Sequence, residues 1–267
     1  MSNFLFKEEK KISDEFKKNG YVVKKIKDLK SLSKIKNLFI KSIKRNINSK
    51  KSFRNNDDLF NLIHKRVEFK KLNDFRLKII NEINKSSNLR ELYYKISKPL
   101  LDTIVGNELA MQMRINLSIQ MPKDDSSLLP IHSDVWSGDS PFESVIWLPL
   151  VDCYKTKSMF ILPPSKYSKI KKLFLKKNST SSEQIFQKIK KDLHWIKIKY
   201  GEVMIFNQCL PHGNTVNLEK HTRWSMNCRF KSIFSPYNDK KIGEFFEPIT
   251  LKTVSELAIN YDLPKVS

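Results

Sequence analysis

The chain of 267 residues is poor in cysteine. It has three cysteines, widely spaced and without a Cys-x-x-Cys motif: Cys153, Cys209 and Cys228. An odd number of distant cysteines argues against a disulfide framework and against a cysteine zinc site. We therefore expect a protein of a reducing compartment, the cytoplasm.

Long apolar segments are missing as well. No stretch approaches the roughly 20 apolar residues that span a bilayer, and residues 1–10 contain no apolar run long enough for a signal peptide. Hydrophobic residues still make up 40% and aromatic residues 11% of the chain, which is enough for a sizeable core and argues against disorder throughout. We expect no membrane span and a single domain over residues 1–267.

Acidic residues are few relative to basic ones. The sequence contains 50 lysines and arginines but only 28 aspartates and glutamates, which gives a formal net charge of +22. Such a charge can indicate an anionic partner such as nucleic acid, a phosphorylated substrate or a membrane surface. The lysines are scattered along the whole sequence, however, and lysine, asparagine and isoleucine are abundant together. This pattern favours a compositional bias of AT-rich coding DNA over a binding stripe.

The hydrophobic period changes near Gly106. Residues 1–105 show mainly helical spacing, interrupted by a short β-type run at Tyr21–Val23, and residues 106–235 show several short alternating strands. Residues 166–194 read as a basic, partly helical insertion, and residues 236–267 as a C-terminal extension. Helices followed by many short strands predict an α+β fold whose strands form a sandwich or a barrel.

Two segments alternate cleanly between polar and apolar residues. In residues 111–121 the odd positions are apolar and the even positions, which include Arg114, Asn116 and Gln120, are polar. In residues 222–230 the polar set contains Arg223, Ser225, Asn227 and Arg229. Since successive side chains of a strand point to opposite faces, each segment predicts a strand with one apolar face and one polar face. The polar faces fit the inside of a small barrel that holds a polar ligand.

Two histidines and one carboxylate form the strongest candidate site. His132 and Asp134, two residues apart, would face the same side of a strand or its end, and a strand at 202–206 leads into a turn that carries His212. Such a set can hold three positions on one face of a ferrous ion and leave three positions open. The alternative is that His132 and Asp134 share a loop hydrogen bond while His212 caps a turn.

Arg223 is the candidate for binding a carboxylate co-substrate. An inward guanidinium needs an anion, and its planar fork matches a carboxylate with two parallel hydrogen bonds. Ser225, two residues on, could add a hydroxyl donor to the same carboxylate. The alternative is an ion pair with a protein carboxylate, which is the stronger alternative for Arg229. Together with the metal set, the pattern favours an iron-dependent oxygenase that uses 2-oxoglutarate and dioxygen.

At these residues the chain resembles the Fe(II)- and 2-oxoglutarate-dependent oxygenases, specifically the phytanoyl-CoA dioxygenase-like branch. Residues 16–23 resemble that branch's usual opening, and His132, Asp134, His212 and Arg223 fall on its iron and 2-oxoglutarate positions. Residues 132–138 and 223–230 further resemble a small subgroup found near bacterial carbohydrate and aminoglycoside biosynthesis genes. The resemblance covers most of the chain.

The resemblance implies a double-stranded β-helix, a cupin-like jelly roll, with the N-terminal helices packed on its major sheet. It also implies oxidation of a small polar, sugar-linked metabolite, and the presence of Asp134 argues for hydroxylation or another oxidation over halogenation. The residues expected to face the substrate are Arg114, Asn116, Gln120, Trp136 and Arg229. Of these, Arg114 or Arg229 would suit an anionic group.

Two other functions remain open from the sequence. A nucleic-acid oxidative dealkylase is the first, since such oxygenases also carry two arginines spaced like Arg223 and Arg229 on the last strand. The mainly helical N-terminal half and the position of Arg223 after His212 fit the phytanoyl-type branch better, so nucleic acid is not the expected partner. A catalytically silent jelly-roll binding protein is the second alternative.

Overall fold

The computed structural model describes residues 4–47, 53–174 and 181–263. Part of the insertion predicted at 166–194 lies outside the described residues, as do the last residues of the C-terminal extension. Among the described residues, no helix is both long enough and apolar enough to cross a membrane.

Helices dominate the first part of the chain, and three more lie between strands or after the last one. Their bounds are α1 Lys7–Asn19, α2 Leu29–Asn46, α3 Asn56–Asn61, α4 Phe69–Asn84, α5 Leu89–Ile104, α6 Tyr167–Phe174, α7 Ser182–Ile189 and α8 Thr253–Ile259. The first helix, α1, ends at the C-cap residue Gly20: this residue adopts a left-handed conformation (φ 79°), and its amide N donates to Phe16 O at 2.7 Å. A left-handed residue after the last helical turn favours glycine.

The strands are short and antiparallel. Their bounds are β1 Tyr21–Lys25, β2 Leu109–Gln112, β3 Asn116–Gln120, β4 Glu143–Pro149, β5 Phe160–Ile161, β6 His194–Trp195, β7 Glu202–Phe206, β8 His212–Gly213, β9 Arg223–Ser232 and β10 Phe246–Thr250. A larger sheet has the order β1-β7-β4-β9-β2-β10, with β3 also paired to β9, and a smaller sheet has the order β6-β5-β8. The α+β class predicted from the sequence is confirmed.

The helices pack on the larger sheet through the apolar face of β9. Trp224 makes edge-to-face contacts with Phe39 of α2, Phe60 of α3 and Phe75 of α4, at ring-centroid distances of 6.4, 5.3 and 6.1 Å. Tyr93 of α5 donates its hydroxyl to the carbonyl oxygen of Ile146 on β4 at 2.8 Å. The apolar side of β9 therefore belongs to the core, which leaves its polar side for the opposite face.

The strand predicted over residues 111–121 is divided in two. Met111 pairs with Phe230 and Asn116 pairs with Asn227 on β9, so residues 112–115 make an irregular step between β2 and β3. Asn84, the last residue of α4, accepts from Ile115 N at 2.9 Å and donates to Ile115 O at 3.0 Å. This side chain satisfies the backbone groups that the broken ladder leaves unpaired.

Two strands of the smaller sheet are very short. β5 contains only Phe160 and Ile161, and β6 contains only His194 and Trp195, with the nearby Ile198 in an isolated bridge to Cys153. In both cases the β-forming residues continue along the sequence, but only part of the run has a neighbouring strand to pair with. Tertiary pairing decides strand length more than residue preference does.

Candidate active site

His132 and His212 lie opposite each other as an isolated antiparallel bridge. His132 N donates to His212 O at 2.9 Å, and His212 N donates to His132 O at 2.8 Å. Directly paired residues project their side chains on the same side, and the two imidazole centroids are 4.4 Å apart. Backbone pairing therefore brings together two histidines that are far apart in the sequence.

Both imidazoles present the same nitrogen to the space between them. His132 Nδ1 lies 2.8 Å from Pro130 O, and His212 Nδ1 lies 2.8 Å from Leu210 O. Because a carbonyl oxygen can only accept, each Nδ1 carries the proton, which leaves each Nε2 with a free lone pair. An Nδ1–H bound to a backbone carbonyl is the usual support of a histidine that ligates a metal through Nε2.

Asp134 supplies the third donor atom. It starts a short 3₁₀ turn, Asp134–Ser137, and its amide N donates to Gln208 O at 3.1 Å, which ties this turn to the segment leading into β8. Asp134 Oδ1 lies 3.5 Å from His132 Nε2 and 3.9 Å from His212 Nε2. The three side chains offer ligand atoms that all lie within 4.8 Å of one another.

The donor set fits a divalent transition metal. Ligands at about 2.1 Å from a metal lie about 3 Å apart in adjacent positions, so contractions of roughly 2 Å or less among the three donor atoms would complete the site. Two imidazole nitrogens and one carboxylate oxygen are the facial set that leaves open positions on Fe(II). The alternative interpretation, in which His132 and Asp134 share a loop hydrogen bond and His212 caps a turn, does not account for the convergence of the three side chains.

Electrostatics of the three groups show why a cation belongs between them. Burial lowers the pKa of His212 to about 4, with the neighbouring His132 adding to the effect. Burial is the largest single effect on His132 and Asp134 and opposes ionisation of both, but other contacts together outweigh it. Attraction to Asp134 and to the Pro130 carbonyl raises the pKa of His132, and the neighbouring His132, His212 and Arg229 lower the pKa of Asp134. A carboxylate facing two imidazoles is stabilised by a proton or by a metal ion in the same place.

Arg229 contacts the other oxygen of Asp134. Its Nη2 lies 3.2 Å from Asp134 Oδ2 and 3.3 Å from Asp139 Oδ2, and its Nε donates to Gln208 Oε1 at 3.0 Å. The side chain of Arg229 is 15% exposed. Its interpretation as a binder of an anionic substrate is therefore not supported, since protein carboxylates already occupy the guanidinium.

Arg223, six residues earlier on β9, has the opposite environment. It is buried, and within the described residues no carboxylate lies within ion-pair distance of it. Its Nη1 donates to Ser158 O at 3.0 Å and its Nη2 to Ser118 Oγ at 2.8 Å, and its Nε has no partner among the described residues. Burial lowers the pKa of the guanidinium to about 10, so it remains charged at neutral pH.

Arg223 and the three metal-type donors line one cavity of about 210 Å³. Ser225 is also in the lining, and its buried hydroxyl has no partner within the described part of the chain. A buried cation without an anion, next to an unused hydroxyl, is energetically unfavourable unless a ligand completes it. The cavity thus combines a metal-type donor set with a polar end suited to a carboxylate.

The other residues predicted to face a substrate divide into two groups. Asn116 and Arg229 line the cavity, and Asn116 Nδ2 donates to Asn227 Oδ1 at 2.9 Å. Arg114, Gln120 and Trp136 are not among the lining residues. Arg114 Nη2 donates to Asn81 Oδ1 on α4 at 2.7 Å, because the break between β2 and β3 turns this residue toward the helices. Gln120 is buried and donates to Thr215 O at 2.6 Å.

Several residues around the site were missed by the sequence reasoning. Ser118 falls on the predicted polar face of β3, so the alternation contained the signal for its contact with Arg223. Asp139, Glu143 and Gln208 surround Arg229 from three separate segments. No local motif marks these three residues, since their grouping depends on how β4 and the segment after β7 meet.

The fold is shared with solved structures of other proteins. No family model matches the chain, and a search of curated proteins finds no match. EctD from S. alaskensis in its apoform is 11% identical, with 88% of this chain and 82% of that chain covered and a TM-score of 0.54. AviO1 from Streptomyces viridochromogenes Tue57 is 12% identical, with 84% and 94% covered and a TM-score of 0.53. HygX from Streptomyces hygroscopicus with nickel and 2-oxoglutarate bound is 12% identical, with 86% and 88% covered and a TM-score of 0.51. At these identities the likeness shows a common mixed helix and antiparallel-sheet fold.

Proposed function

We propose that the chain is a non-haem Fe(II)- and 2-oxoglutarate-dependent dioxygenase built on a double-stranded β-helix. His132, Asp134 and His212 would hold the iron, and Arg223 with Ser225 would hold the far carboxylate of 2-oxoglutarate. The single observation that carries the proposal is the pairing, in one cavity, of an open His-Asp-His set with a buried arginine that has no carboxylate partner in the described part of the chain.

Each part of the cavity has a separate task. Bound at the three donors, Fe(II) would supply the redox chemistry that couples decarboxylation of 2-oxoglutarate to oxidation of a substrate by dioxygen. Arg223 would orient the co-substrate through charge-assisted hydrogen bonds, which are strong in a buried setting. The apolar lining from Val145, Trp147, Met159 and Phe206 would exclude water from the metal's open side.

Three further considerations support the assignment. HygX, which shares the fold, was solved with nickel and 2-oxoglutarate bound. The resemblance of residues 132–138 and 223–230 to the phytanoyl-CoA dioxygenase-like branch points to the same ligands. Burial of Arg223 behind Ser118 and Ser158 also favours a small co-substrate over a nucleic-acid phosphate as its anion.

For the substrate we propose a small polar, sugar-linked metabolite. Polar side chains of Asn116, Asn214 and Asn227 line the cavity and offer amide hydrogen bonds suited to hydroxyl groups. His132 has 33% of its side chain exposed whereas His212 has 8%, so the metal position is reached from the His132 side. We propose that the substrate approaches from there, with Trp136 on the turn beside Asp134 as a candidate contact.

Co-substrate turnover tests the proposal. Purified protein reconstituted anaerobically with Fe(II) is exposed to oxygen and 2-oxoglutarate together with nucleotide sugars or amino sugars, and succinate and oxidised product are measured by mass spectrometry. We expect substrate-dependent succinate formation that His212→Ala abolishes. Turnover with methylated single-stranded DNA instead of sugars would favour the dealkylase, and absence of 2-oxoglutarate binding to the metal-loaded protein would favour a silent binding protein.

A further inference from the structure

We propose that Arg229 is a positioning residue that restricts the Asp134 carboxylate to one-oxygen coordination of the metal. The inference rests on the proposed function. It assigns to Arg229 a role that is separate from metal binding by the three donors and from co-substrate binding by Arg223 and Ser225. It follows from the different partners of the two Asp134 oxygens.

The two oxygens of Asp134 face different neighbours. Oδ1 lies 3.5 Å and 3.9 Å from the Nε2 atoms of His132 and His212, whereas Oδ2 lies 3.2 Å from Arg229 Nη2. This contact is a close ion pair between two side chains that are only 15% and 9% exposed. Rotation of the carboxylate to bring both oxygens onto the metal would break it.

Arg229 is itself held from several directions. Its Nη2 also contacts Asp139 Oδ2 at 3.3 Å, and its Nε donates to Gln208 Oε1 at 3.0 Å. Gln208 in turn donates to Glu143 Oε2 at 3.0 Å and to Ser140 O at 3.1 Å. The guanidinium therefore cannot follow Asp134 toward the metal.

The position of this arginine is costly for metal binding in itself. A fixed positive charge beside a metal ligand repels the incoming cation. The carboxylates of Asp139 and Glu143 (Oε2 4.0 Å from Arg229 Nε) oppose that repulsion, but Asp139 is also paired with the ammonium group of Lys240. A role in raising metal affinity therefore does not explain it, but a role in controlling coordination does.

The benefit of this restraint is a free coordination position on the metal. Under the proposed function, His132, Asp134 and His212 would each supply one atom to Fe(II), and the remaining positions would be needed by the co-substrates. If the second oxygen of Asp134 also bound, it would take one of the positions that the co-substrate and dioxygen need. Holding Oδ2 on Arg229 keeps that position free.

The test uses the Co(II)-substituted protein, so that no turnover is needed. The ligand-field absorption of Co(II) reports its coordination number, and titration with 2-oxoglutarate gives a dissociation constant. For Arg229→Gln we expect a Co(II) spectrum shifted toward higher coordination before 2-oxoglutarate is added. We also expect 2-oxoglutarate binding weakened at least about tenfold, while Co(II) affinity is equal to or tighter than in the wild type.

Arg114→Gln is the matched control, because it removes the same charge from an arginine outside the cavity. It should leave the spectrum and the co-substrate affinity unchanged. Arg229→Lys keeps the charge but has a single nitrogen, which cannot replace both the Nη2 contacts with Asp134 and Asp139 and the Nε hydrogen bond to Gln208, so we expect it to show most of the effect of Arg229→Gln. If Arg229→Gln does not fold, Arg229→Lys still tests whether Arg229 restricts the coordination of Asp134.

Three results would overturn the inference. Unchanged spectra and co-substrate affinity in Arg229→Gln would show that Asp134 needs no such restraint. Loss of Co(II) binding in that variant, as in Asp134→Ala, would show that Arg229 only keeps Asp134 in place. Full wild-type behaviour of Arg229→Lys would assign the effect to charge and not to geometry. Failure of the wild type to bind Co(II) and 2-oxoglutarate together would overturn the proposed function itself.

Discussion

The indole nitrogen of Trp224 donates a hydrogen bond to the carbonyl oxygen of Phe60 at 3.0 Å. This contact joins the helical layer to the strand that carries Arg223 and Arg229. Phe60 lies in α3. The carbonyl oxygen of the next residue in this helix, Asn61, accepts a hydrogen bond from Thr222 N at 2.9 Å. The start of β9, and with it Arg223, is thus anchored by α3.

Replacing Trp224 by phenylalanine should destabilise the fold. The change leaves Phe60 O buried without its donor, which costs about 1–3 kcal/mol, and leaves a space between three aromatic rings. Urea denaturation followed by circular dichroism measures the loss. Leu257→Ala is the control, since Leu257 is 68% exposed and should change stability by less than about 0.5 kcal/mol. Equal effects of the two variants would contradict the anchoring role of Trp224.

Metal binding should stabilise the wild-type protein and depend on His212. At a free metal concentration of 100 times Kd, the free energy of unfolding rises by about 2.7 kcal/mol. Thermal unfolding with Co(II) or Ni(II) measures this gain, which we expect to disappear in His132→Ala and His212→Ala. His194→Ala is the matched control, because His194 is exposed on β6. A full metal-induced shift in His212→Ala would show that other residues bind the ion.

Arg223→Ala should weaken 2-oxoglutarate binding without loss of the metal. Hydrogen bonds to charged groups contribute about 1.5–3 kcal/mol, so we expect a dissociation constant raised roughly 10- to 150-fold. Titration of the Ni(II)-loaded protein with 2-oxoglutarate measures it, and the metal-induced thermal shift serves as the internal control. Wild-type co-substrate affinity in this variant would mean that another residue binds the carboxylate.

The three thiols should differ sharply in reactivity. Burial raises the pKa of Cys153 and Cys228 to about 12, whereas Cys209 is partly exposed and its pKa is raised less far, first by burial and then by the Asp134 and Glu143 charges. Since the thiolate is the nucleophile, roughly one thiol in 10,000 is ionised at pH 8 when its pKa is about 12.

Iodoacetamide at pH 8 should therefore modify Cys209 alone in the folded protein, and more slowly than in urea, where all three cysteines react. Peptide mass spectrometry identifies the labelled positions. Labelling of Cys153 or Cys228 in the folded protein at the rate seen in urea would disagree with their burial.

Much of the site was accessible from the sequence because strand alternation is a strong signal. Arg223, Ser225, Asn227 and Arg229 were placed on one face of β9, and all four line the cavity. The convergence of His132 and His212 was also predicted, although the sequence could not show that a mutual backbone bridge achieves it.

The errors arise where tertiary contacts override a local period. Arg114 was assigned to the polar face, but the ladder breaks just before β3 and Asn84 takes over the backbone hydrogen bonds of Ile115. Likewise, nothing in the local sequence shows that Arg229 has carboxylate partners while Arg223 has none among the residues that the structure describes. That difference depends on Asp139 and Glu143, which the fold brings to one end of β9 only.

The bridge between His132 and His212 has a consequence for assembly of the holoprotein. Main-chain pairing, and not the ion, sets the spacing of the two rings, so the ligands are ordered before any metal arrives. The entropy of arranging them is then lost during folding, and capture of the ion becomes a local event that leaves the surrounding strands unchanged. Removal of the metal by a chelator should accordingly be reversible without refolding of the chain.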